Sequence, residues 1–208
     1  MPKKQKNKNF LLIFIRNPEL GKAKTRLAKT VGNETALEIY KFLLQKTRDV
    51  SIKVTADKAI YYSVKIRTND IWDDEIYQKH KQNGKDLGIR MKNAFKDGFN
   101  SGYQKVMSIG SDLYNLSPKN IENAFTELNN NDFVIGPALD GGYYLLGMNS
   151  LQENIFENKD WGKETVRKDT LKNLKGKKVK LLEFKNDIDT FEDILDIPEI
   201  MSTFINPK

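Results

Sequence analysis

Residues Phe10–Arg16 read FLLIFIR, an unbroken apolar run rich in β-branched and aromatic side chains. A strand with no polar face suits a sheet covered on both sides, as in folds where helices lie above and below parallel strands. Asn17-Pro18 ends the run. Its apolar part, Phe10 to Ile15, is the longest in the chain and falls far short of the ~20 residues that span a bilayer. No membrane insertion is expected, and no signal-peptide pattern follows the basic start.

Strands and helices then alternate. Asn33 is placed to cap a helix over Glu34 to about Val50, where Ala36, Leu37, Tyr40, Leu43, Leu44 and Thr47 recur at helical spacing. Strands are expected at Ala59–Val64, weakly near Ile76–Lys81, and at Lys105–Ile109, Phe133–Ile135, Tyr143–Met148 and Val179–Phe184. Helices are expected from Asp86 to about Phe99, from Ser117-Pro118, near Glu164–Leu174, and briefly after Thr190, where Asp193 resembles a capping box. This pattern predicts an α/β fold, a three-layer α/β/α sandwich on a mainly parallel sheet. Tyr143 follows the Phe133 strand too closely for a helical crossover, so the sheet should be partly mixed.

At 208 residues the chain suits one domain, expected over 10–208 behind a disordered basic tail at 1–9. Four of its +7 charges (Lys3, Lys4, Lys6, Lys8) lie in that tail, leaving +3 for the remainder. The body carries no aromatic-and-basic nucleic-acid signature, so a nucleic-acid partner is not expected. The absence of cysteine excludes disulfides, zinc-thiolate sites and thiol catalysis, and fits a cytoplasmic location.

In open α/β sheets ligands bind at the carboxyl ends of strands, so the residues after each strand matter most. After the first comes Gly21-Lys22-Ala23-Lys24-Thr25-Arg26, three cations beside a glycine, suited to a nucleotide's phosphates. It is not a P-loop: Arg16 stands where the first glycine belongs, and Ala23 follows Lys22. A solvated basic turn is the alternative. Gly110-Ser111-Asp112-Leu113 follows the Lys105 strand and Asp187-Ile188-Asp189-Thr190 the last one, carboxylates suited to Mg²⁺ or Mn²⁺. Helix-entry capping is the other reading of Asp187 and Asp189. Asp140-Gly141-Gly142-Tyr143 joins two strands and leaves room for a ligand. Gln82 to Gly88, with Asp86 opening a helix, could hold a phosphate or a base edge. His80, the only histidine, is read as an ordinary polar residue and Trp161-Gly162 as packing.

Five segments together, Phe10–Leu27 (FLLIFIRNPELGKAKTRL), Gln82–Met91 (QNGKDLGIRM), Gly110–Leu113 (GSDL), Gly136–Gly147 (GPALDGGYYLLG) and Asp187–Asp193 (DIDTFED), resemble the bacterial glycosyltransferase-like family of the nucleotide-diphospho-sugar transferase (GT-A) fold, often labelled arsenosugar-biosynthesis glycosyltransferases. The resemblance implies a divalent metal held by Asp112 and Asp189. It implies phosphate binding by Gly21, Lys24 and Arg26, with Lys22, Thr25, Gln82, Asp86 and Gly88 on the nucleotide side. Asp140, Gly141, Gly142 and Tyr143 would line the acceptor side, Asp140 as candidate base, so that Lys24, Arg26, Asp112 and Asp140 form the expected catalytic set. One departure is Gly110-Ser111-Asp112, a single carboxylate where many metal-dependent glycosyltransferases carry Asp-x-Asp. That single carboxylate and the Lys-Thr-Arg loop are also similar to the 2-phospho-lactate guanylyltransferases. The first expectation is sugar transfer from a nucleotide-diphospho-sugar to a small acceptor. Nucleotidylyl transfer from an NTP to an anionic acceptor is the alternative, and a non-catalytic nucleotide-binding protein the third. Oligomeric state is left open.

Overall fold

The computed structural model describes residues 8–206, so residues 1–7 of the expected tail lie outside the described residues. Seven strands form one sheet in the order β3-β2-β1-β4-β6-β5-β7. They are β1 (Asn9–Ile15), β2 (Asp57–Tyr62), β3 (Tyr77–Lys81), β4 (Lys105–Ile109), β5 (Phe133–Pro137), β6 (Tyr143–Met148) and β7 (Val179–Leu181). The apolar run thus lies inside the sheet, paired parallel to β2 on one side and β4 on the other. β6 is antiparallel to both β4 and β5, which makes the sheet mixed as the short β5–β6 connection requires.

Side chains alternate across β1 and divide the core in two. Leu11, Ile13 and Ile15 face Tyr40 and Leu44 of helix α2 (Asn33–Ser51) and Ile121 and Phe125 of α4 (Pro118–Glu127). Phe10 and Leu12 face Met91 and Phe95 of α3 (Leu87–Asn100), while Leu171 of α5 (Val166–Asn173) packs farther along the same layer. The result is the expected three-layer sandwich. The chain closes with α6 (Pro198–Ile200) and a π turn (Met201–Ile205), whose Ile200, Met201 and Phe204 pack in a third cluster with Ile39 and Leu43 of α2. Among the described residues, no helix is long and apolar enough to cross a membrane.

Several elements differ from expectation. A helix, α1 (Thr25–Val31), begins inside the basic loop, and its last residue is separated from α2 only by Gly32. Gly32, at φ 84°, takes the N-cap place expected for Asn33, because a positive φ suits glycine. β2 starts two residues early, at Asp57, and ends at Tyr62. β7 ends at Leu181 rather than Phe184: its partner β5 ends in Pro137, which has no N–H to give, and only the Ala138–Lys185 bridge continues the pairing. The expected helix after Thr190 is a 3₁₀ turn, Glu192–Ile194, before Pro198 opens α6.

Candidate active site

Because β5 and β6 run in opposite directions, the turn between them lies on the sheet edge that also receives the carboxyl ends of β1 and β4. A cavity of about 260 Å³ opens at this edge, lined by Asp112 after β4, Asp140 in the β5–β6 turn and Asp187 beyond β7. The main chain fastens two of these together: Ile188 N–H donates to the Asp112 carbonyl at 3.0 Å. Asp140 is fixed by its own turn, its Oδ1 accepting from Gly142 N–H at 2.8 Å. Burial, then the charges of Asp140 and Asp112, push the Asp187 carboxyl up to about 6 against the opposing pull of Lys24.

The facing wall is apolar. Phe14, Met91, Tyr143, Trp161 and Val166 line it, with Lys163 as its one lining cation among the described residues. Tyr143 and Trp161 meet edge to face at 6.5 Å. Trp161 closes over Gly88, where a Cβ would stand 2.4 Å from the indole Nε1 and 2.3 Å from the Phe156 carbonyl oxygen. Gly88 of the Gln82–Gly88 motif therefore serves the wall. Phe14 is stacked on Tyr61 and Tyr61 on His80, each at 5.1 Å, which gives the histidine a packing role.

The basic loop meets the acidic strand ends directly. Lys24 holds a left-handed backbone, φ 51° and ψ 46°, at the N-cap of α1. Its ammonium, on a side chain only 5% exposed, donates to the Ile188 carbonyl and pairs with Asp112 Oδ1 at 3.1 Å. Tyr40 lies 5.9 Å away on a further side, its ring facing the ammonium. Arg26 pairs with Asp189 Oδ2 at 2.9 Å, and with its side chain 68% exposed it remains reachable from solvent, as does Lys22.

The structure brings Asp112, Asp140, Gly142 and Tyr143 of the expected set to the cavity. It places the others elsewhere. Asp189, the expected second metal ligand, faces Arg26, whereas Asp187 two residues earlier lines the cavity. Gln82 donates its amide to the Ile15 and Tyr61 carbonyls at 3.0 and 2.9 Å, bracing β1 against β2 rather than facing the cavity. Asp86 caps α3 by accepting from Ile89 N–H at 2.9 Å. Gly21, Lys22, Lys24, Thr25, Arg26, Gly88 and Gly141 do not line the cavity; a Cβ on Gly141, at φ 90°, would strike the Glu164 carbonyl. Trp161, read from the sequence as packing, packs on Gly88 and Tyr143 and also lines the cavity, while of the acidic cluster Asp187-Ile188-Asp189 it is Asp187 that lines it. Only the register of the last loop distinguishes Asp187 from Asp189.

The donors suit a hard cation. Among the described residues, no group of three or more His, Cys, Asp or Glu is gathered to hold a metal unaided. Mg²⁺ is commonly held by one or two carboxylates together with substrate phosphates, and Asp112 and Asp187 offer that arrangement.

A family model described as "Uncharacterized protein conserved in bacteria (DUF2064)" matches residues 43–163. A crystal structure from Desulfovibrio desulfuricans G20, provisionally described as a nucleotide-diphospho-sugar transferase, is similar with a TM-score of 0.81 and 29% identity over 96% of this chain and 92% of that one. A cytidylyltransferase from Leptospira borgpetersenii has a TM-score of 0.55 at 14% identity, over 90% and 83% of the two chains. A manganese complex of a Mycobacterium tuberculosis H37Rv protein has a TM-score of 0.51 at 13% identity, over 88% and 95%. At such identities the last two speak for the fold alone. No curated protein matches the chain.

Proposed function

The chain belongs to the DUF2064 family of bacterial proteins, and from its fold and site we propose that it is a metal-dependent, nucleotide-using transferase that moves a sugar from a nucleotide-diphospho-sugar to a small acceptor. The observation that carries this reading is the convergence of Asp112, Asp140 and Asp187 on one cavity with an aromatic wall. The exposed Lys22 and Arg26 bind the diphosphate, Lys22 exchanging Glu19 and Arg26 exchanging Asp189 for phosphate oxygens. Asp112 and Asp187 hold Mg²⁺ or Mn²⁺, which when bound supplies charge stabilisation for the departing diphosphate. Asp140, whose Oδ1 is occupied by Gly142, offers Oδ2 to the acceptor hydroxyl and takes its proton. Tyr143 and Trp161 receive an apolar sugar face and exclude water from the reacting bond.

The apolar wall favours sugar transfer, because Tyr143 and Trp161 suit the apolar face of a sugar better than a phosphorylated or carboxylate acceptor, which the nucleotidylyl reading requires. That second reading draws support from the fold shared with cytidylyltransferases and from the single carboxylate of Gly110-Ser111-Asp112. The test is incubation with Mg²⁺ or Mn²⁺, panels of nucleotide-sugars and NTPs, and mixed acceptors. Nucleoside diphosphate release is expected. Pyrophosphate release from NTP would transfer the assignment to nucleotidylyl transfer, and nucleotide binding without turnover would leave a non-catalytic binding protein.

A further inference from the structure

Lys24 carries a separate conclusion, one that rests on the metal-dependent reading above. A phosphate-binding lysine needs an ammonium turned to the ligand, with free donors. Here the side chain is 5% exposed, and its ammonium is engaged by the Ile188 carbonyl and Asp112 Oδ1, with the Tyr40 ring 5.9 Å away on a further side. The backbone conformation that delivers it is itself unfavourable. A non-glycine residue at φ 51° costs of order 1 kcal/mol and persists where its surroundings over-determine it. Its partners belong to segments far apart in the sequence, the loop after β4 and the loop after β7, already joined by Ile188 N–H to the Asp112 carbonyl. Tyr40, against which the ammonium rests, is tied by its hydroxyl to Arg16 and Ser111, so the floor beneath Lys24 is rigid as well.

We propose that Lys24 is a positioning residue: a fixed internal cation that holds the Asp112 and Asp187 loops in register, lowers their affinity for a divalent ion in the free protein, and does not touch nucleotide phosphate. A positive charge 3.1 Å from one carboxylate keeps the pair from gripping an ion tightly before nucleotide arrives. The ion is then retained only when phosphate oxygens complete its shell, so metal and nucleotide bind with positive coupling. Arg26 and Lys22, both exposed, remain the phosphate cations.

The test uses the full chain with Lys24→Met and, in case that variant does not fold, Lys24→Gln, which can still donate to the Ile188 carbonyl. Mn²⁺ binding is followed by paramagnetic resonance of the free ion without nucleotide. UDP, GDP and CDP binding is measured calorimetrically in chelator. Mn²⁺ should bind about tenfold more tightly to the variants, and chelator-side nucleotide affinities should stay within about twofold. A tenfold or larger loss of nucleotide affinity with unchanged Mn²⁺ binding would make Lys24 a phosphate ligand and overturn the proposal. Unchanged values of both kinds would leave only a structural role and overturn it too. Native protein that binds no Mn²⁺, with or without nucleotide, would also overturn it. None of these outcomes decides between sugar and nucleotidylyl transfer, which the released product reports.

Discussion

Asp187 carries a free-energy cost in the folded chain. Burial and the charges of Asp140 and Asp112 raise its carboxyl to about 6, so at neutral pH the fold keeps an anion in a place that disfavours it. The sign follows from comparison with the unfolded chain, where the same group titrates near 3.8. Native stability is undiminished below that value and falls as pH rises through the window up to about 6. In chelator at pH 7, Asp187→Asn should therefore be more stable than the native chain by about 1–2 kcal/mol, with the gain vanishing below about pH 4. The same substitution should reduce turnover at least about a hundredfold, since it removes a carboxylate from the proposed ion site. Asp189→Asn breaks only an exposed pair with Arg26 and should change stability by less than about 1 kcal/mol. Denaturant unfolding and product assays on the two variants check both statements, and a destabilised, fully active Asp187→Asn would refute them.

The loop that delivers Asp187 is an element of its own, shaped by Asp193. One carboxylate oxygen of Asp193 accepts from Asp189 N–H, Thr190 N–H and the Thr190 hydroxyl, and the other from the Asn186 amide at 2.7 Å. Burial opposes the charge, but these donors together hold its carboxyl below the usual range. Asp193→Ala should cost about 2–3 kcal/mol in denaturant unfolding and lower turnover although Asp193 does not line the cavity. Equal turnover at saturating substrate would show that the loop keeps its shape without it. The Thr190–Asp193 contact was legible in the sequence because it is local, although Phe191 rather than Thr190 is the N-cap of the turn that follows. So were β4 and β6, whose apolar runs end in the same residues as the strands. α1 was not legible, since Lys24 and Gly32 bound a seven-residue helix that has only Leu27 fully buried. Nor was the burial of Lys24, which depends on loops more than eighty residues away.

The whole molecule is marked by its tyrosines. All eight have phenols raised above their ordinary value, chiefly by burial, with Tyr114 the exception in owing it first to its bond with Glu199. Tyr40, Tyr62, Tyr77 and Tyr144 lie in the core layer toward α2 and α4, and Tyr61, Tyr103 and Tyr143 in the layer toward α3 and α5. Two hydroxyls also donate to buried-side carboxylates, Tyr62 to Asp70 at 2.6 Å and Tyr103 to Asp57 at 2.9 Å, bonds that ionisation would turn into repulsion. An unfolded phenol titrates near 10 and these titrate higher, so the unfolded chain loses protons first as pH rises. Stability is thus intact below about pH 10 and declines above it, by about 1.4 kcal/mol per pH unit for each fully buried phenol. Several phenols acting together give a steep fall, and because they occupy both layers neither can open alone if 10–208 is one domain, as we propose. A pH titration in chelator should therefore show tyrosinate absorbance and loss of far-ultraviolet circular dichroism rising together in a single transition above about pH 11. Two separated transitions would divide the layers into independently folding parts, and tyrosinate appearing near pH 10 with the circular dichroism intact would mean the phenols are not held as described.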